Sequence, residues 1–155
     1  HVLYGLKQQG FQFELKGGTS LSKGYGIIHR FSEDIDIHIL PPAEMKINEN
    51  PNNNNQGNIQ KRKAFYNLLA NEIKINGIIS VKRDESFDDI KQYRSGGIRL
   101  LYESKNNSIE GVKEGILLEV GFDSITPNNP VTISSIGYCA DLRRRIRIAG
   151  DIKMN

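Results

Sequence analysis

The segment from Leu15 to Ile39 constrains the fold of this chain more than any other part of its sequence. It reads LKGGTSLSKGYGIIHRFSEDIDIHI. Apolar and polar residues alternate over 11–15 and again over 34–40, which predicts two strands. Between them the pair Gly17-Gly18 breaks the first strand, and a hydroxyl at Thr19 or Ser20 suits the first turn of a helix. The segment therefore predicts a strand, a glycine turn, a helix and a second strand.

The remaining pattern predicts a mixed β-sheet flanked by helices, of the α/β or α+β class. An apolar stripe over 58–76, followed by Gly77, predicts the clearest helix. We expect a further helix end over 1–10, strands over 78–81, 98–103, 115–122 and 131–136, a loop over 43–57, and a loop or short helix over 84–93. The strands over 98–103 and 115–122 are separated by a polar segment and are expected to form a hairpin.

Length and composition are those of one soluble domain. The chain has 155 residues, of which 37% are hydrophobic and 25% charged. No apolar run approaches the roughly 18 residues of a membrane span, and no signal peptide is visible, so we expect a cytoplasmic protein without a membrane partner. The first residue is His1 rather than a methionine, so the sequence does not establish where the native N-terminus lies. The chain has a single cysteine, Cys139, so an internal disulfide is excluded. No obvious basic or histidine partner lies nearby in the sequence to activate Cys139 as a nucleophile.

The formal net charge is only +3, but basic residues cluster near the C-terminus. The cluster consists of Arg143, Arg144, Arg145 and Arg147. It suits contact with a phosphate backbone, but short basic runs are common, and a solvated helix face or a frayed chain end is the simpler interpretation. Both interpretations stay open from the sequence.

The glycine turn has the chemistry of a phosphate site. Without a Cβ, Gly17 and Gly18 allow the backbone to approach a ligand closely, and the N-terminus of the following helix favours an anion. Thr19 and Ser20 add hydroxyl groups, and Lys23 lies one turn further on. Taken alone, the turn is also an ordinary connection between a strand and a helix.

Asp34 and Asp36 have the chemistry of a metal site. Two residues apart on a strand, they share one face about 6.6 Å apart, whereas Ile35, Ile37 and Ile39 take the other face. Their mutual repulsion is relieved by a divalent cation, and Mg²⁺ prefers such oxygen ligands. An EF-hand is excluded, because Ile39 stands where that loop requires glycine.

The glycine turn and the aspartate pair occur in a fixed order, and that combination is more specific than either part. GGTSLSK followed by RFSEDIDI resembles the nucleotidyltransferase superfamily with the DNA polymerase β-like fold, and more narrowly the AbiEii/AbiGii type of bacterial abortive-infection toxins. The resemblance covers about a sixth of the chain. It implies a Mg²⁺-dependent enzyme that moves a nucleoside monophosphate from an NTP to an acceptor and releases pyrophosphate.

The resemblance also implies roles for individual residues. Gly17, Gly18, Thr19 and Ser20 would hold the triphosphate with Lys23, while Arg30 would contact the triphosphate or form a structural ion pair. Asp34 and Asp36 would hold two Mg²⁺ ions, with Mn²⁺ as a substitute. A third carboxylate comes from a later strand in this superfamily, and Glu119 in the apolar segment 115–122 matches it best, with Glu103 and Asp123 as alternatives.

By the same resemblance the acceptor is RNA, such as the 3′ end of tRNA, with a protein hydroxyl as an alternative, and a cognate antitoxin is a partner. Residues 1–155 would form the nucleotidyltransferase domain, without the C-terminal helical domain that the family usually carries. A further departure is Lys16, which stands where an apolar residue often precedes the glycine pair.

Two other functions compete with this interpretation. The first is a non-catalytic module that keeps the fold and binds a partner protein or nucleic acid. The second is a glycosyltransferase that uses Asp34 and Asp36 for its metal, although the preceding glycine turn argues against it. His38 shares the face of the two aspartates, and we expect a solvated histidine at the strand end rather than a group that supports the site.

Overall fold

The computed structural model describes residues 1–28, 34–103, 115–123, 128–133 and 144–149. The helices are α1 (Val2–Gln8), the single turn α2 (Gly17–Thr19), which continues into a π-helical turn (Ser20–Gly24), and α3 (Gln56–Glu72), with 3₁₀ turns at Ala43–Met45 and Glu85–Phe87. The strands are β1 (Phe13–Leu15), β2 (Asp34–Ile39), β3 (Ile78–Asp84), β4 (Ser95–Tyr102), β5 (Ile116–Gly121), β6 (Asn128–Ile133) and β7 (Arg144–Ala149).

Seven strands of the described residues form one mixed sheet in the order β3-β4-β5-β2-β1-β7-β6. The pairs β2–β5 and β1–β7 are parallel, and the other neighbouring pairs are antiparallel. The predicted fold class, a mixed sheet with helices, is confirmed. The predicted β4–β5 hairpin is confirmed as well, because Ile98 pairs with Leu118 in an antiparallel register.

The hydrophobic core lies between one face of the sheet and the helices α1 and α3. It contains Val2 and Leu6 of α1, Phe65, Tyr66 and Leu69 of α3, and the inward-facing residues Leu15, Ile37, Ile39, Ile98, Leu100, Leu118 and Val120 of the central strands. Residues that alternate with these strand positions point to the opposite face. No helix within the described ranges is long and apolar enough to cross a membrane.

The described part of the basic cluster near the C-terminus does not lie on a helix, which was one of the interpretations of its sequence. Three of its arginines, Arg144, Arg145 and Arg147, lie on β7, and Arg147 pairs with Glu14 of β1 across a parallel ladder. A helix is therefore wrong for this part of the cluster. Arg143 lies outside the described residues, as does Cys139. The sequence shows no apolar–polar alternation at the start of this strand, because Arg144 and Arg145 are consecutive.

Arg62 of α3 organises the asparagine-rich loop before the helix. Its side chain is fully buried (0% exposed), and its guanidinium stands 5.9 Å from the centroid of the Phe122 ring. It donates hydrogen bonds to the carbonyl oxygens of Asn48, Asn50, Asn53 and Gln92 and to the side-chain oxygen of Asn54. The predicted loop over 43–57 is thus an ordered segment wrapped around one buried cation.

Candidate active site

The two aspartates of β2 lie on the sheet face opposite the helices. Ile37 and Ile39 are completely buried on the helix side, so the alternation of the strand directs Asp34 and Asp36 away from the core. Asp34 is exposed and Asp36 is half-buried. The predicted common face of the two carboxylates is therefore present in the structure.

Glu119 joins them from the neighbouring strand. Strands β2 and β5 are parallel, and Asp36 is the register partner of Glu119, with Asp34 opposite Leu117. Register partners in a sheet point to the same face, so the carboxylates of Asp36 and Glu119 stand side by side. We call Asp34, Asp36 and Glu119 the acidic site.

The electrostatics of the acidic site are those of crowded carboxylates. Burial first, and the charge of Asp34 second, raise the pKa of Asp36 above its usual range. Burial, then Asp36, then Asp34 raise the pKa of Glu119. Asp34 thus disfavours the ionisation of Asp36, and both aspartates disfavour that of Glu119, a situation that a bound cation reverses.

The two alternative acids lie elsewhere. Asp123 follows β5 and is paired with the guanidinium of Arg94, whose Nε donates to its carboxylate at 3.0 Å. Glu103 is exposed and directly follows Tyr102, which pairs with Ile78 at the C-terminal end of β4. Glu119 instead pairs with Gly97, near the other end of β4. Register therefore favours Glu119 as the third carboxylate.

The glycine turn packs directly against Asp36. Gly17 has a φ of +50°, and a Cβ built on it would lie 2.6 Å from Oδ2 of Asp36, so both conformation and space require glycine. The backbone N–H of Gly18 donates a hydrogen bond to the same carboxylate, which lowers its pKa against the larger effect of burial. The turn thus binds one member of the acidic site.

The hydroxyl groups after the glycine pair are engaged with the backbone. Thr19 Oγ1 donates to the carbonyl oxygen of Asp34 and accepts from the N–H of Asp36, both at 3.2 Å. Ser20 Oγ donates to the carbonyl oxygen of Gly17 at 2.8 Å, and Thr19 and Ser20 are each only 3% exposed. The contacts of Thr19 fasten the turn to β2, and the contact of Ser20 lies within the turn. Contact of either hydroxyl with a triphosphate stays a prediction.

The remaining predicted phosphate contacts are only partly described. Lys23 lies exposed on the π-helical turn Ser20–Gly24, where its ammonium can meet a ligand. Arg30 lies outside the described residues. The predicted helix after Gly17-Gly18 is confirmed, although it is a short helical segment over 17–24.

His38 is not the solvated histidine expected from the sequence. It is 3% exposed, with Nε2 2.8 Å from Glu49 Oε2 and Nδ1 3.6 Å from Glu14 Oε2. Burial alone lowers the pKa of His38, but the hydrogen bond and charge of Glu49, followed by those of Glu14, raise it overall. The expectation of a solvated side chain is wrong, because Glu14 of β1 and the loop residue Glu49 enclose it.

The acidic site fits a divalent cation by its chemistry and its position on the sheet. Its donors are carboxylate oxygens, which Mg²⁺ prefers, and their mutual repulsion disfavours the metal-free arrangement. Among the described residues, no three histidine, cysteine, aspartate or glutamate side chains already stand close enough to form a metal site. The three carboxylates would therefore have to close around an ion.

One residue of the neighbourhood was not predicted as part of it. Lys16 connects β1 to α2, and its ammonium lies over Gly121, where a Cβ would be 3.0 Å from Nζ. It acts electrostatically on Asp36, Glu119 and Asp123. Its unusual position directly before the glycine pair was the only sequence signal for it.

A mixed sheet with acids on adjacent central strands and a glycine turn against one of them is consistent with a nucleotidyltransferase-like fold. The model of the family described as "Nucleotidyl transferase AbiEii toxin, Type IV TA system" matches residues 1–152, and the chain belongs to this family. Membership indicates a nucleotidyltransferase toxin and implies a cognate antitoxin. Comparisons with curated proteins and with solved structures gave no significant match.

Proposed function

We propose that the protein transfers a nucleoside monophosphate from an NTP to a hydroxyl of an RNA acceptor, such as the 3′ end of tRNA. The observation that carries the proposal is the register of Asp36 with Glu119, beside Asp34, in a chain of the AbiEii family. Carboxylates gathered on one face can hold the divalent metal ions that stabilise the attacking and leaving oxygens in transfer at phosphorus.

Asp34, Asp36 and Glu119 would hold Mg²⁺, or Mn²⁺ in its place. When bound, the metal supplies positive charge for the phosphate oxygens of the transition state. The protein contributes the orientation of the ligands. Thr19 fastens the glycine turn to the backbone of β2, and the Gly18 N–H fixes the carboxylate of Asp36.

The proposed transfer forms one bond and breaks one bond, both at the α-phosphorus of the NTP. The acceptor oxygen forms a bond to the α-phosphorus, the bond from that phosphorus to the bridging oxygen breaks, and pyrophosphate leaves. The proton of the acceptor hydroxyl passes to a carboxylate oxygen of the acidic site. Any of its three members, Asp34, Asp36 or Glu119, can serve as this general base.

The triphosphate would lie at the glycine turn, with the exposed Lys23 as a cationic contact. Gly17 and Gly18 are not fully covered, so their backbone remains accessible from solvent. For Arg30, contact with the triphosphate or a structural ion pair stays a prediction from the family resemblance.

The test is a transfer assay with labelled NTPs, total RNA and Mg²⁺. The wild type should label RNA, and Asp36→Asn and Glu119→Gln should each reduce labelling by more than the roughly 10- to 100-fold seen when an outer partner of a metal ligand is removed. Glu72→Gln, an exposed acid at the end of α3, is the matched control and should label normally.

Equal labelling by wild type and Asp36→Asn would refute the assignment of the acidic site. Calorimetric titration of NTP with Mg²⁺ addresses the competing function. A wild type that binds neither would instead be a non-catalytic module that keeps the fold.

A further inference from the structure

Lys16 occupies a defined position beside the acidic site. Its backbone N–H donates a 2.8 Å hydrogen bond to the carbonyl oxygen of Asp36, which fixes the start of the side chain at β2. Its ammonium reaches across to β5, where it lies over Gly121, two residues beyond Glu119 on the same face. Any residue larger than glycine at 121 would crowd the ammonium.

The charges around this ammonium are negative. The side chain starts at Asp36 and its ammonium ends beside Gly121, on the face that carries Asp36 and Glu119, with Asp123 two residues further along the chain. The described residues nevertheless provide no hydrogen bond to Nζ and no ion pair within 4.0 Å. Arg94 takes the carboxylate of Asp123 instead. Lys16 therefore balances the acidic site at a distance, without being committed to one carboxylate.

Three carboxylates on one face of the sheet attract a nearby cation when no metal is bound. Asp34 and Asp36 share a face with Glu119, and burial strengthens their repulsion. Within the described part of the chain, Lys16 is the cation that acts on both Asp36 and Glu119. The positive charge of Lys16 would repel a divalent ion placed between the carboxylates.

We propose that Lys16 is the internal counter-ion of the acidic site, which stabilises the metal-free protein and opposes the binding of a divalent cation. The inference rests on the proposed metal-binding function. Lys16 is a positioning residue in this view, since it acts through the carboxylates rather than on the reacting atoms. It sets the concentration of metal at which the site becomes loaded.

The test compares the wild type with Lys16→Met and Lys16→Arg by calorimetric titration of Mn²⁺ and Mg²⁺, without nucleotide, at pH 8 and low salt. We expect Lys16→Met to bind the metal about fivefold more tightly, because one positive charge is removed from its vicinity. Lys16→Arg keeps the charge and should bind like the wild type. The difference between Lys16→Met and the wild type should shrink at about 0.5 M salt.

Thermal unfolding of the metal-free proteins gives the second readout. Lys16→Met should melt at a lower temperature than the wild type, and saturating Mn²⁺ should remove most of that difference. A purely packing role for the side chain would instead lower the melting temperature equally with and without metal, and would leave the salt dependence unchanged. Lys16→Gln provides a second neutral variant if Lys16→Met does not fold.

The outcomes separate the two proposals. If the wild type binds metal and the folded neutral variants bind it equally or more weakly, the counter-ion is refuted while the acidic site stands. If the wild type shows no heat of binding with either metal, the proposed function fails at the acidic site itself.

Discussion

Asp36 on β2 and Glu119 on β5 are register partners across a parallel pair of strands, so that two acids stand side by side on one face of the sheet. Neighbouring like charges directly opposite each other destabilise a sheet. The protein keeps them nevertheless, and it places Gly17 and Lys16 around them. Such an arrangement is understandable if the acids serve a ligand rather than the fold.

Asp36→Asn should therefore stabilise the metal-free protein at pH 7.5. The substitution removes a charge that burial and Asp34 disfavour, while the amide oxygen can still accept from the Gly18 N–H. We expect the melting temperature to rise by about 2–5 °C, measured by circular dichroism. Added Mg²⁺ should raise the melting temperature of the wild type but not of Asp36→Asn. A fall in melting temperature without metal would contradict the account of crowded carboxylates.

Gly17→Ala should damage the site through both backbone and space. A φ of +50° strains an alanine by about 1 kcal/mol, and its Cβ would in addition press on Oδ2 of Asp36. We expect a loss of unfolding free energy in urea together with weaker Mn²⁺ binding.

Gly10→Ala is the matched control for this change. Gly10 has a φ of +88°, but a Cβ added at this position would meet no other atom within 4 Å, so the substitution tests backbone strain alone. The variant should lose stability and keep its metal affinity. Equal metal affinity in the two alanine variants would show that Gly17 serves only the backbone.

Arg62→Met should destabilise the protein by about 3 kcal/mol in urea unfolding, because several buried carbonyl groups lose a charged donor. Lys61→Met removes the neighbouring cation, which is exposed and makes a single hydrogen bond to the carbonyl oxygen of Lys46, and should change stability by less than about 0.5 kcal/mol. Similar losses in both variants would mean that the loop does not depend on Arg62.

Asp84 should make stability depend on pH. The hydroxyl of Ser86, followed by the guanidinium of Arg99, holds the pKa of Asp84 below its ordinary value despite partial burial. A lowered pKa in the folded state contributes stability above the unfolded value of about 3.9, and the contribution is lost as pH falls through the folded value.

Asp84→Asn should therefore cost about 1 kcal/mol at pH 7, and the difference from the wild type should vanish toward pH 2 in urea unfolding. Glu85→Gln, at the exposed neighbouring position, is the control and should follow the wild type throughout. A constant difference over the whole pH range would assign the effect of Asp84→Asn to packing.

Much of this arrangement could be predicted because the informative residues are local. Alternation in β2 gave the common face of Asp34 and Asp36, and the break at Gly17-Gly18 gave the turn that packs on that strand. Glu119 was found because the family resemblance implies a third carboxylate on a later strand, and Glu119 is the lone acid in the apolar segment 115–122. The assignment of these residues to metal and nucleotide stays a prediction.

The rest depended on contacts between distant parts of the chain. The enclosure of His38 needs Glu14 and Glu49, and no local pattern brings these two together. The burial of Arg62 was invisible because a charged residue on a helix normally faces solvent. The strand β7 was not predicted, because its arginines interrupt the apolar pattern of a strand. Its parallel pairing with β1 is a contact between distant parts of the chain.

The strand order has a consequence for when the protein can act. Strand β2 lies near the start of the chain, and its partner β5 follows only after α3, β3 and β4. A chain still emerging from the ribosome therefore carries Asp34 and Asp36 without Glu119, and closing this long loop is a late step of folding. The acidic site is complete only once most of the sheet has been synthesised.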